Sequence, residues 1–60
     1  MKTRYAIMFN VSGIEIIIGG LKGNDKTKRG RSAIIKQGKS MLDKKDRNRA
    51  IAERMWRVES

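Results

Sequence analysis

The sequence predicts a small α+β domain on three observations. Apolar residues alternate with others over about 3–11 and resume over about 14–20, with Ser12-Gly13 between, which is the pattern of a β-hairpin. A second pattern, with the period of a helix, runs over about 32–57 as one amphipathic helix or two. Between them, about 22–31 is basic, bounded by glycines and nearly free of residues worth burying. With 60 residues and 38% hydrophobic positions there is material for one modest core. Residues 1–60 therefore read as a single domain with a flexible basic loop at about 22–31.

The hairpin comes first in the chain. Tyr5, Ile7, Phe9 and Val11 alternate with Arg4, Ala6, Met8 and Asn10. A two-residue turn at Ser12-Gly13 sets Val11 opposite Ile14, Phe9 opposite Ile16 and Ile7 opposite Ile18 on one face. The other face receives Asn10 with Glu15 and Met8 with Ile17. A one-residue slip would scatter the large side chains, so pattern and turn agree. The apolar run Tyr5–Leu21, preceded by Lys2 and Arg4, also resembles a membrane or export segment. Asn10, Ser12 and Glu15 interrupt it, no small-residue cleavage site follows, and Glu15 in mid-span would cost ~2.5–3.5 kcal/mol on insertion scales. The expectation is a cytoplasmic protein with no membrane segment.

Past the loop, Ser40-Met41-Leu42-Asp43 resembles a capping box that would start a helix. Projected at 3.6 residues per turn, Met41, Asn48, Ile51, Ala52, Met55 and Val58 share one face, flanked by Leu42 and Trp56, which would lie on the hairpin. Residues 31–37 admit two readings. Ala33, Ile34 and Ile35 fit a helix broken near Gly38, the favoured reading, or a third strand at about 31–37, giving a β-β-β-α order.

Composition then narrows the function. Without Cys or His there is no zinc site, no disulfide framework and no Cys/His or Ser/His catalytic centre. Ala33–Ser40 matches a relaxed phosphate-binding loop ending Gly38-Lys39-Ser40, but that motif needs a buried strand before it, and Lys28–Arg31 is basic. Asp43 and Arg47, and Glu53 and Arg57, have the spacing of ordinary helical ion pairs. No enzyme, no metal, no cofactor and no small-molecule substrate are expected.

The charge distribution carries the stronger signal. The chain has 15 Lys plus Arg against 6 Asp plus Glu, a net +9. Eleven of those cations but only three of the acids lie between Lys22 and Arg49. Lys22, Lys26, Lys28, Arg29 and Arg31 cluster in the loop, and Lys36, Lys39, Lys44, Lys45, Arg47 and Arg49 extend the surface. Such clusters bind phosphate backbones by charge neutralisation and counterion release, without reading sequence. The reading is a small basic nucleic-acid-binding protein, for DNA or RNA. The alternative is an inhibitor or adaptor that docks on an acidic surface of another protein. Only Tyr5, Phe9 and Trp56 are aromatic, with Phe9 assigned to the core and the other two to its periphery, which offers little for base stacking. Ala6, Met8 and Ile17 form a second apolar face, so a homodimer through the hairpin is expected as well.

Overall fold

The computed structural model describes residues 3–59. Three antiparallel strands, β1 (Thr3–Val11), β2 (Ile14–Lys22) and β3 (Ile51–Glu59), form one sheet in the order β2-β1-β3. Helix α1 (Lys28–Ser40) and the single turn α2 (Lys44–Arg47) connect β2 to β3. The first strand is thus the central one, and α1 packs on one face of the sheet. The α+β class and the hairpin stand as read. Three strands and a main helix match the content of the β-β-β-α alternative, but the order is β-β-α-α-β. Residues 31–37 are helical, and the third strand is C-terminal.

The hairpin register is the one its pattern dictates, from Val11 opposite Ile14 to Ile7 opposite Ile18. Ser12 (φ 53°) and Gly13 (φ 87°) both take left-handed backbone, as a turn matching the twist of its strands requires. The Asn10 side-chain oxygen accepts from the Gly13 N–H at 2.9 Å. Beyond Ile18 the sequence reading stops at about residue 20, whereas β2 continues to Lys22. An extra residue in β2 is absorbed between the Ile7–Ile18 and Tyr5–Leu21 pairs, where Gly20 sits at φ 73°. This bulge returns Leu21 to the buried face after two exposed glycines.

Lys28–Arg31, read as loop, is the first turn of α1. Thr27 caps it, its hydroxyl accepting from the Gly30 N–H at 2.9 Å. The remaining connection is held by side-chain bonds of Asn24 and Asp25. Asn24 accepts from the Lys26 N–H at 2.9 Å, and the Asp25 carboxylate accepts from the Tyr5 hydroxyl at 3.2 Å and pairs with Arg57 at 3.7 Å. Replacing Thr27 by alanine removes the cap and is expected to cost about 1 kcal/mol, read as a lower urea midpoint with an unchanged slope.

Gly38 does not break α1. It lets the helix approach the sheet, since a Cβ there would lie 3.1 Å from the Phe9 ring and 3.2 Å from Leu21. On the residue before it, the Gln37 side-chain amide binds the Lys22 backbone twice, donating to its carbonyl at 3.0 Å and accepting from its N–H at 3.1 Å. Helix and edge strand are thereby fixed together. The core beneath is Tyr5, Ile7, Phe9, Val11, Leu21 and Ile34, closed at one end by Leu42 and Ala50.

The C-terminal helix expected to about residue 57 is corrected by β3. Ser40 ends α1 rather than capping a new helix, its hydroxyl donating to the Gln37 carbonyl at 2.6 Å. The reason for the misreading is a second bulge. Phe9 pairs with Ala52 and Met8 with Arg54, so Glu53 is an extra residue in β3. The bulge spaces the core-packed Ala52 and Met55 three apart, which imitates a helical period within a strand. Ile51 and Val58, assigned to the buried helical face, are exposed at 66% and 43%.

Candidate functional site

Two surfaces lie on opposite sides of the sheet. The first is the solvent face of α1. Ile34 and Gly38 turn inward, and at about 100° per residue the positions opposite them are Lys28, Arg29, Lys36 and Lys39, with Ser32 among them. The helix carries five cations and no carboxylate, and none of its first-turn residues is acidic. Lys28, Arg29 and Arg31 stand at the N-terminal end, where the helix dipole is positive and cations cost a few tenths of a kcal/mol or more each. Stability therefore does not account for Lys28 and Arg29, the two of these that make no hydrogen bond to the fold among the described residues.

The eleven basic residues singled out by sequence divide into groups. Lys28, Arg29, Lys36 and Lys39 form the α1 stripe. Arg31 reaches the Asp25 carbonyl at 3.4 Å. Arg47 is committed to the fold, donating to the carbonyls of Lys39 and Leu42, both at 3.2 Å, where it satisfies the C-terminal end of α1. This ties α2, with its exposed Lys44 and Lys45, to that end of the stripe. Arg49 is exposed beyond α2. Lys22 and Lys26 stand apart from the stripe, and Lys26 borders a polar hollow of about 380 Å³ lined by Thr3, Tyr5, Asn24, Asp25 and Arg57. Ala33–Ser40, the relaxed phosphate-loop match, lies wholly inside α1 and forms no loop. The i to i+4 pairs expected at Asp43–Arg47 and Glu53–Arg57 are not formed, since Arg47 binds carbonyls and Arg57 pairs with Asp25.

The second surface is the sheet face away from α1, which sequence reasoning reached only in part. Its rows run Ile17–Met8–Arg54 across the three strands, with Ala6–Trp56 and Arg4–Val58 beside them. Met8, Ile17, Arg54 and Trp56 line a largely apolar hollow of about 460 Å³. Ile17 is 62% exposed, whereas Ala6, expected to be part of an open patch, is buried opposite Trp56. The Arg54 guanidinium carbon lies 5.9 Å from the Trp56 ring centroid, at the outer range of a cation–π contact. The strict alternation of Arg54, Trp56 and Val58 was the signal for this surface, obscured by the bulge just before it.

Among the described residues no three carboxylates gather as a metal site would need, and no helix is long and apolar enough to cross a membrane. The fold and its two surfaces define a class: a small basic α+β chain with a cationic helix on one side of a three-stranded sheet and an open face on the other. In comparisons with protein-family models, curated proteins and solved structures, nothing matches the chain.

Proposed function

We propose that the protein is a non-enzymatic nucleic-acid binder that grips the phosphate backbone, without reading sequence, through α1. The observation that carries this is a 13-residue helix holding five cations, no acid, and three of its cations at the dipole end that disfavours them. Lys28, Arg29, Lys36 and Lys39 provide the phosphate contacts, with Lys44 and Lys45 extending them. The N–H groups of Lys28 and Arg29, ahead of the capped Gly30, add to the positive potential.

Fluorescence anisotropy with labelled oligonucleotides tests the reading. Affinity is expected to fall steeply between about 50 and 200 mM salt. Substituting Lys28, Arg29, Lys36 and Lys39 together by serine is expected to flatten the log–log salt dependence on duplex DNA by about 3 to 4 units. The fold is retained, because all four side chains lie outside the core and two of them oppose the dipole. A wild-type chain that binds no oligonucleotide at low salt, or a variant with an unchanged slope, defeats it.

A further inference from the structure

We infer that the open sheet face, centred on Trp56, is a base-stacking site that makes the chain a binder of single-stranded nucleic acid. The inference rests on the phosphate-binding reading above and adds to it a second contact and a class of ligand.

The argument starts from what the face lacks. α1 and the core residues occupy the other side of the sheet, and among the described residues the hollow formed by Met8, Ile17, Arg54 and Trp56 is covered by no other side chain. An apolar floor of that kind calls for an apolar ligand. Its border is cationic: Arg54 lies in the hollow itself, Arg4 opposite Val58, and Lys22 opposite Arg4. Glu15 lies farther along the face, opposite Asn10. An apolar peptide would have to strip water from these cations and leave them unpaired. A second copy of the chain would set the same arginines against each other in a molecule already at +9. A single strand of nucleic acid satisfies both demands, with flat bases for the floor and phosphates for the rim. Duplex DNA does not, because its bases are already stacked within the helix.

The placement of Trp56 suits that role. Ala6, directly across from it, is small and buried, so the ring has a firm support on the sheet. Arg54, two residues away on the same face, has its guanidinium over the ring at 5.9 Å, so a stacking base displaces a weak cation–π contact and leaves that exposed cation beside it to hold the adjoining phosphate. Met8 and Ile17 continue the floor toward β2, where a neighbouring base would rest.

Trp56 is the single tryptophan, so its emission reports on this face alone. Titration of the wild-type chain with oligothymidylate at low salt is expected to quench that emission in step with binding measured by anisotropy. Trp56→Ala is expected to weaken binding by about 5- to 160-fold, the range of one lost base–aromatic stack, whereas Trp56→Phe stays within a few-fold of wild type. Should Trp56→Ala not fold, quenching of the wild type and retention by Trp56→Phe still decide the matter. Binding with no change in emission, and with equal affinity for a folded Trp56→Ala, overturns the stacking site. It leaves the α1 reading intact if the quadruple serine variant loses affinity. Emission that shifts with protein concentration alone, accompanied by dimer in sedimentation, assigns the face to self-association and overturns it too. A wild type that binds neither single strand nor duplex defeats both proposals together.

Discussion

Replacing Phe9 by alanine is expected to unfold the domain. Phe9 is completely buried, pairs with Ile16 on one side and Ala52 on the other, and has the backbone of α1 at Gly38 directly over its ring. The neighbours directly above and beside it cannot fill the space it would leave. Ala52 and Gly38 are too small, and the β3 bulge and the Gln37 docking bonds hold strand and helix at their spacing. Truncating a buried phenylalanine costs ~3–5 kcal/mol. A core in a chain this short rarely supplies more than about 3–5 kcal/mol. The two figures are comparable, so circular dichroism of Phe9→Ala should show loss of native signal at 25 °C without denaturant. A cooperative melt near that of the wild type would mean that the sheet and helix do not depend on this contact.

Gly30→Ala should be the most damaging of the small glycine changes, although it improves helix propensity by ~1 kcal/mol. A Cβ at Gly30 would run into the backbone carbonyl of Asn24, which no rotamer change can move aside. That carbonyl belongs to the turn in which Asn24 receives Lys26, Asp25 receives Tyr5, and Thr27 caps the helix. Relieving the collision shifts the whole connection. The expected net loss is about 1–2 kcal/mol after the propensity gain, or roughly 5–15 °C in Tm for a domain of this size. Gly19→Ala is the control, because nothing lies within 4 Å of its Cβ position. It should move stability by no more than ~0.5 kcal/mol. Equal melting temperatures for the two variants would refute the assignment.

The hairpin was legible because its turn, alternation and register are all local. Ser12-Gly13 and the isoleucine spacing decide it without reference to the rest of the chain. The start of α1 was not, since Thr27 caps with Gly30 three residues on, where a capping box would place Glu or Gln. Gly38 looked like a break because propensity speaks only of the helix, while its role is set by Phe9 and Leu21 on the sheet. β3 was the costliest loss. A bulge changes the period of a strand at one point, and a projection that assumes a constant period converts Ala52 and Met55 into a helical face. The cationic residues were found by composition, but their grouping depends on where the helix begins and on Arg47 turning back to α1. The Trp56 surface followed only once 51–59 was a strand.

The central position of β1 has a consequence for how the molecule assembles. Its partner β2 is a tight turn away, so the hairpin closes on the microsecond scale of local pairing. Its other partner joins residues from opposite ends of the sequence, Thr3 with Glu59 and Arg4 with Val58. That closure waits on α1 and α2 and carries the entropy of a loop spanning most of the chain. Until it happens, β1 presents an open edge beside Ile7 and Phe9, the arrangement most prone to pair with a strand of another molecule. The slow step in folding is therefore also the step that ends the danger of aggregation, and the bulge at Glu53 sits on the strand that performs it.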